Sequence, residues 1–207
     1  NLITKSINSN KIDNKNFLSF NINPTQKIIL IKIKNKQSPL DTEKVGADFY
    51  SYLKSNSFFK TTLYEHNIKN ANCQNKYFLD EFIHGVELKS YEFNKYKSKY
   101  ENKIFEIDII SKSKSFKLNQ NKRFKSLIEG TIFTKDLVSE PGNILHPDEY
   151  AKRLLQLKKL GLKINVYNEA QLKKLGMNAL LGVGQGSIRG SYIVTLEWKG
   201  IKSKKKP

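Results

Sequence analysis

Residues 136–157 read "DLVSEPGNILHPDEYAKRLLQL", in which two prolines and a glycine separate two segments of helical character. Pro141 disfavours a helical conformation in the residue before it, and Gly142 favours a turn, so the first helix is predicted to end here. Pro147 is tolerated in the first turn of a second helix, and the two acidic residues after it suit the positive end of that helix. The segment therefore predicts a joint between two parts of the chain.

Helices and strands alternate before this joint. Residues 45, 49 and 53 are apolar and four apart, which is typical of one buried helix face. Residues 112–122 are polar and are expected to be a flexible connection. We predict strands at 27–34, 57–64 and 104–111, and helices from Asp41, as the N-terminal cap, to about Ser55, from about Lys76 to Tyr91 and from about Arg123 to Ser139. This order indicates an α/β fold.

The same alternation continues after the joint. The helix that begins at Pro147 is expected to run to Leu160 and to stop at Gly161. A strand at 163–167 follows, and Asn168 with Gln171 three residues later has the spacing of a helix capping box. We then predict a helix that ends at Gly176, a glycine-rich loop at 182–190 and a strand at 191–198. The second part is thus also α/β.

The composition gives weak functional information. The chain has 207 residues and a formal net charge of +18, which is compatible with nucleic-acid binding. However, only 3 of its 37 basic residues are arginine, the residue best suited to phosphate and base recognition, and the lysines are widely spread. A single cysteine, Cys73, excludes an internal disulfide framework and favours a cytoplasmic location. There is no membrane-spanning apolar run, signal peptide or initiator methionine, so we expect a piece of a longer polypeptide.

Two kinds of ligand site have partial motifs in the sequence. Gly182, Gly184 and Gly186 could bring backbone amides close to a phosphate, but the loop follows a helix and leads into a strand, the reverse of a dinucleotide-binding motif. The possible metal ligands lack the short repeated spacing of a tetrahedral site, and Glu81 with His84 lacks a second copy of its motif. We therefore expect the glycine-rich segment to be a structural loop and His84 to be a partly exposed histidine. The possible metal ligands mentioned above are His66, Cys73, His84 and His146.

His146 is the best-placed histidine for acid–base chemistry, because its pKa range suits a general base. Its nearest carboxylates are Asp148 and Glu149, which are better explained as charges at the start of a helix. Since His146 precedes Pro147, a capping or packing role is favoured.

Particular strings in the sequence resemble the cytosol (leucyl) aminopeptidase family. The most specific is "LGMNALLGVGQGS" at 175–187, followed at the expected distance by "LEWKG" at 196–200. The other similar strings are Asp136-Leu137-Val138, Pro141-Gly142-Asn143 with Pro147, and "YEFNKYKSK" at 91–99. The resemblance covers about residues 91–200.

This resemblance implies a two-domain α/β metallo-aminopeptidase. We expect an N-terminal three-layer α/β domain at 1–118, a linking helix at 119–139 and the first elements of the catalytic domain at 140–207. It also implies a cytoplasmic homo-hexamer that releases N-terminal residues such as leucine from peptides. Two divalent metal ions, manganese or zinc, would polarise the scissile carbonyl and activate a water.

The family's metal-binding and catalytic residues lie in a glycine-lysine-glycine plus phenylalanine-aspartate-x-glycine-glycine stretch and a later asparagine-threonine-aspartate-alanine-glutamate-glycine-arginine stretch. Neither occurs in this sequence. We therefore assign no catalytic, cofactor-binding or metal-binding residue to the chain and expect it to be inactive alone. The alternatives are a basic nucleic-acid-binding module and an assembly or regulatory module without catalysis.

Overall fold

The computed structural model describes residues 16–34, 36–64, 77–100, 103–110 and 121–200, and the chain divides into two compact units, 1–134 and 135–207. Helices and strands are mixed in both, so the predicted α/β class is confirmed. Unit 1 contains β1 (Phe17–Asn23), β2 (Gln26–Ile31), α1 (Pro39–Ser55), β3 (Lys60–Tyr64), α2 (Phe78–Ser90) and β4 (Glu106–Ile110). α3 (Asn121–Ser139) spans the division; unit 2 then contains α4 (Pro147–Leu155), a 3-10 helix (Gln156–Leu160), β5 (Lys163–Tyr167), α5 (Glu169–Lys174), α6 (Asn178–Gly184) and β6 (Ile193–Glu197).

The described strands form three two-stranded sheets: β1 with β2 and β5 with β6 are antiparallel, and β3 with β4 is parallel. A parallel pair requires a crossover connection, and α2 lies between β3 and β4 in the chain, which gives a βαβ unit. β1 is not among the strands predicted above, although residues 18–23 alternate apolar and polar side chains as a strand does. It is a strand because it pairs with β2 across the turn from Asn23 to Gln26.

The core of unit 1 lies between α1, α2 and the strands. Phe49 and Leu53 of the predicted apolar stripe are fully buried, and Val45 packs against the same cluster, which confirms the stripe. Glycines allow α1 and α2 to approach closely. A Cβ added at Gly46 would lie 2.0 Å from the carbonyl oxygen of Phe82, and one added at Gly85 would lie 2.0 Å from that of Glu43.

Three predicted boundaries in unit 1 are wrong, and one of them is the strand predicted to run to residue 34, which ends at Ile31. Ser38, not Asp41, caps α1: its Oγ accepts a hydrogen bond from the Asp41 amide at 3.1 Å and donates one to Asp41 Oδ2 at 2.7 Å. Asp41 lies within the first turn because the fixed φ of Pro39 already suits a helix start. The strand predicted from Ser57 begins at Lys60, since Ser57 has a left-handed φ of 56° and the next amide returns to α1 at Leu53 O.

Unit 2 has a small core, formed by Leu137, Ala151, Leu154, Ile164 and Leu172. The helix predicted to end at Gly161 does so, with a φ of 90° at that glycine, but its last five residues are a 3-10 helix rather than α. The capping box at the start of α5 is confirmed, because the Asn168 side chain accepts from the Gln171 amide at 3.1 Å and the Gln171 side chain accepts from the Asn168 amide at 3.0 Å.

The glycine-rich segment was predicted as a loop over its whole length, and this is wrong for its first part. Gly182 and Gly184 lie in α6, where the Gln185 amide donates to Leu181 O at 3.0 Å. Gly186 and the residues up to Gly190 form the connection to β6.

Candidate functional site

The joint between α3 and α4 is a compact turn. α3 ends where the Glu140 amide donates to Asp136 O at 3.0 Å, and the Leu145 amide then donates to Pro141 O at 2.9 Å. Pro141 and Gly142 thus lie in the turn that the sequence predicts, and this turn belongs to unit 2. This turn fixes where α4 starts relative to the end of α3.

An ion-pair network reinforces the joint. Arg153 of α4 donates from Nη1 to Glu140 Oε1 at 2.9 Å and from Nε to Glu149 Oε1 at 3.1 Å. The Glu140 side chain is 1 % exposed, so its pairing with Arg153 offsets part of the cost of burying a carboxylate. The hydrogen bonds to Glu140 and then Glu149 raise the pKa of Arg153, and the one from Arg153 lowers that of Glu149. Sequence reasoning missed this network because the two glutamates lie 13 and 4 residues from the arginine, and only the closer pair has helical spacing.

His146 occupies the N-cap position of α4, but its side chain makes no capping hydrogen bond. It pairs instead with Asp148, so the assignment of Asp148 as merely a helix-end charge was incomplete. Desolvation raises the pKa of Asp148, but the hydrogen bond from His146, its own backbone amide and the charges of His146 and Arg189 together lower it below its ordinary value. The contact between Asp148 Oδ1 and His146 Nδ1 orients the imidazole.

His146 lines a groove of about 550 Å³ whose lining is mainly apolar. The lining comprises Leu145, His146, Pro147, Tyr150, Leu154, Tyr192, Val194 and Leu196. An oriented imidazole is a possible base, but these neighbours include no serine, cysteine or lysine that it could activate. The groove therefore suits packing against apolar groups better than proton transfer.

Several amides in and just beyond the glycine-rich segment donate hydrogen bonds within the protein. The Ser187 amide donates to Gly184 O and the Arg189 amide to Ser187 Oγ, both at 3.0 Å. The Ser191 amide donates to Glu169 Oε1 of α5, also at 3.0 Å. Amides that are bonded internally are not directed at a phosphate, and a carboxylate next to them would repel one.

The possible metal ligands do not converge in the described parts of the chain. Among residues 16–34, 36–64, 77–100, 103–110 and 121–200, no group of three or more histidine, cysteine, aspartate or glutamate side chains could hold a metal ion. His84 is buried, not partly exposed as predicted, and its Nδ1 lies 2.8 Å from Glu43 Oε1. His66 and Cys73 lie outside the described residues. The described residues thus do not fit the metal pair that the family resemblance implies.

Residues 91–99, one of the family-like strings, build a polar network in unit 1. Glu92 pairs with Lys54 of α1 and accepts hydrogen bonds from Tyr100 Oη at 2.8 Å and Asn94 Nδ2 at 3.1 Å. These interactions, with that from Lys54 the strongest, lower the pKa of Glu92 to about 2. The string therefore ties the segment after α2 to the end of α1, beside a groove of about 510 Å³.

Comparison with known proteins gives the class. Residues 132–207 match the model of the cytosol aminopeptidase family, catalytic domain. The match begins within α3 and includes the joint, the groove and the glycine-rich segment. The predicted resemblance to this family is confirmed, and the chain is related to enzymes of the aminopeptidase class.

The individual relatives are curated bacterial proteins. The chain is 42 % identical over 129 residues to the probable cytosol aminopeptidase of Phytoplasma mali (strain AT), covering 59 % of this chain and 26 % of that protein. It is 34 % identical over 176 residues to that of Dinoroseobacter shibae, covering 85 % of this chain and 34 % of that protein. The chain thus spans about a quarter to a third of the length of these relatives.

Solved structures show the same fold. A lysine-to-glutamate variant of tomato leucine aminopeptidase superposes with a TM-score of 0.72 at 20 % identity, over 94 % of this chain and 40 % of that one. The bottromycin maturation enzyme BotP in complex with Mn gives a TM-score of 0.64 at 17 % identity, over 88 % of this chain and 39 % of that one. In the described ranges, no helix combines the length and apolar character needed to cross a bilayer.

Proposed function

We propose that this chain is the N-terminal part of a metallo-aminopeptidase that releases N-terminal residues such as leucine from peptides. The observation that carries the proposal is the 42 % identity over 129 residues to a probable cytosol aminopeptidase. Residues 132–207 match that family's catalytic domain and contain the joint and the glycine-rich segment.

In this proposal the chain supplies structure rather than chemistry. Residues 1–118 form an N-terminal domain, 119–139 a linking helix and 140–207 the beginning of the catalytic domain. The Arg153 network would hold the start of the catalytic domain in a fixed geometry, since a nearly buried Glu140 and two hydrogen bonds restrain α4. Scaffolding of this kind is what positions catalytic groups in the rest of a domain.

The metal ions of the proposed enzyme are two divalent cations, manganese or zinc. The family resemblance and the Mn complex of BotP, a protein of similar fold, support metal dependence. Because the described residues offer no group of metal ligands, we place the ligands in the part of the relatives' length that this chain does not match. No hydrolytic step is assigned to a residue of this chain.

Two activity measurements test the proposal. The 207-residue chain alone, supplied with manganese or zinc, should not hydrolyse leucine amide; turnover would show that the chemistry lies within it. A chimera that joins this chain to the unmatched remainder of the Phytoplasma mali relative should hydrolyse the same substrate and lose activity to a chelator. A folded chimera without activity, beside an active full-length relative as control, would contradict the proposal.

We further propose peptide substrates, a cytoplasmic location and a homo-hexamer for the complete enzyme. The names of the curated relatives support the first two, and the family resemblance supports the third. The mass of the active chimera in solution tests the assembly: six copies are expected, and a stable active monomer would exclude the hexamer.

Nucleic-acid binding is the competing function, and the net charge of +18 favours it. Such binding should be detectable at low salt and weaken steeply as salt rises, because phosphate contacts release counterions. Titration of the chain into labelled duplex DNA at low and moderate salt measures this, and absence of binding at low salt would exclude it.

A further inference from the structure

The groove beside the Glu92 network in unit 1 combines charged, hydroxyl and aromatic groups. Its volume of about 510 Å³ lies in the range of small-molecule sites. We call it the Tyr50 groove; its lining includes Tyr50, Lys54, Phe59, Glu92, Lys103 and Phe105. These residues lie in unit 1, outside the part of the chain that matches the catalytic domain of the family. The proposed peptidase activity therefore gives this groove no role.

The hydroxyl of Tyr50 is the unusual group in the groove. Tyr50 is 6 % exposed, and among the described residues its hydroxyl has no hydrogen-bond partner. Its ring contacts that of Phe105 at 5.0 Å between centroids, a contact that phenylalanine would make equally well. A tyrosine this buried usually has a partner for its hydroxyl, because leaving the group unpaired costs free energy. Burial raises the pKa of Tyr50, so the hydroxyl keeps its proton and can donate it to a molecule in the groove.

The charges in the groove favour an anion. Lys54 and Lys103 supply two ammonium groups, whereas Glu92 supplies the one carboxylate among the described lining residues. Glu92 already accepts hydrogen bonds from Lys54, Asn94 and Tyr100. Its oxygens therefore have little capacity left for a cationic ligand. The Lys54 ammonium has three protons and can donate to a ligand while it stays paired with Glu92.

One wall of the groove is aromatic. The rings of Phe59 and Phe105 lie 5.3 Å apart between centroids, and Lys103 Nζ lies 5.7 Å from the centroid of Phe59. Phe59 is 36 % exposed and Ile104, which also lines the groove, is 74 % exposed, so part of this wall is uncovered. An apolar group that covers the wall removes apolar surface from water, and an aromatic group can also make ring contacts there.

We propose that the Tyr50 groove binds a small carboxylate that carries an aromatic or other apolar group. The carboxylate accepts hydrogen bonds from Tyr50 Oη and Lys54 Nζ, and the apolar group lies against Phe59 and Phe105. This binding site is independent of the proposed peptidase activity, because its residues lie outside the matched range 132–207.

The test titrates hydrocinnamate into the 207-residue chain and follows the backbone amide signals by NMR. The signals that shift should be those of the end of α1 and of the segment around Lys103. Hydrocinnamamide, which has nearly the same shape but no charge, is the matched ligand. It should bind at least about tenfold more weakly, because hydrogen bonds to a charged group are the stronger ones.

Tyr50→Phe should weaken hydrocinnamate binding about tenfold, since it removes one donor and retains the ring. Lys54→Gln should weaken it by a similar factor. Tyr52→Phe is the matched control in α1: its hydroxyl donates to Ser19 Oγ at 2.7 Å, so its loss should leave the affinity unchanged. Circular dichroism verifies folding, which Tyr50→Phe should preserve because the lost hydroxyl has no partner among the described residues.

Several results would overturn the proposal. Equal affinity for the acid and the amide would do so, as would binding that Tyr50→Phe leaves unchanged or shifts confined to other parts of the chain. Inorganic phosphate that displaces hydrocinnamate at equal concentration would show a general anion site instead.

The source of the carboxylate is distinguished by N-acetylphenylalanine, which resembles the C-terminus of a peptide. If it binds more tightly than hydrocinnamate, a peptide C-terminus is the preferred ligand. If it binds equally or more weakly, a free small acid is preferred. Either result supports the carboxylate site, provided that Tyr50→Phe weakens the binding.

Discussion

Two glycines should determine how tightly unit 1 packs. A Cβ at Gly46 would lie 2.0 Å from Phe82 O, 2.9 Å from Phe82 C and 3.2 Å from Val86 N, all of them backbone atoms of α2. Because Cβ contacts under 3.0 Å are essentially never seen, Gly46→Ala requires α1 and α2 to separate by at least about 1 Å. The same holds for Gly85→Ala against Glu43 O, also at 2.0 Å.

The loss of folding stability expected for Gly46→Ala is the difference between two opposing effects. Overpacking typically costs about 1–3 kcal/mol, and the upper end is expected because the clash is with backbone rather than with a flexible side chain. Alanine's better helix propensity offsets about 1 kcal/mol, so the net loss should be about 2 kcal/mol. Gly130→Ala in α3 is the matched control, because a Cβ there meets nothing within 4 Å. It should stabilise by about 1 kcal/mol, which separates the variants by about 3 kcal/mol.

Urea unfolding followed by far-UV circular dichroism measures this difference. With a slope of about 2 kcal/mol/M, the midpoints of Gly46→Ala and Gly130→Ala should differ by about 1.5 M. Hydrogen exchange of peptides from α1 and α2 shows whether the destabilisation lies at these helices. Tryptophan fluorescence would not report it, because the single tryptophan, Trp198, is in unit 2. Equal midpoints, or faster exchange confined to α3, would refute the close helix contact.

Three further predictions concern polar groups. Glu140→Gln should destabilise unit 2 by about 1.5–3 kcal/mol, because Arg153 loses a charged hydrogen bond; urea unfolding followed by tryptophan fluorescence measures it, and an unchanged midpoint would contradict the network. Asn168→Ala should cost about 1 kcal/mol in the same assay through loss of the capping box, whereas no change would mean that the cap is unimportant. The pKa of Glu92 in the folded protein, about 2, lies below its ordinary value of 4.5. Its pairing with Lys54 therefore stabilises the folded state fully at pH values above 4.5, and this stabilisation is lost as the pH falls toward 2. The stability difference between the wild type and Glu92→Gln should therefore be constant near neutral pH and shrink in that acidic range, and a difference independent of pH would exclude the ion pair.

The sequence predicted the ends of helices correctly where residues of the same short segment determine the helix end. The capping box at Asn168 and the stop at Gly161 depend on residues within a few positions, and both were predicted from the sequence. The start of α1 shows the limit of such rules, because Ser38 and Asp41 are both good caps and only the position of Pro39 decides between them.

The candidate site was less predictable than the elements around it. The orientation of His146 by Asp148 depends on side-chain geometry two residues apart, and the Glu140–Arg153 pair depends on how the turn returns α4 to the end of α3. His84 was predicted to be partly exposed, but it is buried because Gly85 brings its helix against Glu43.

The sequence by itself determined the α/β class, the joint at Pro141 to Pro147 and the family resemblance, because each depends on residue types at short fixed spacings. The tertiary structure alone decided that α1 and α2 meet at two glycines and that the large apolar side chains around α6 are exposed among the described residues. These features depend on contacts between residues distant in the chain, and no local pattern specifies which apolar groups find a partner.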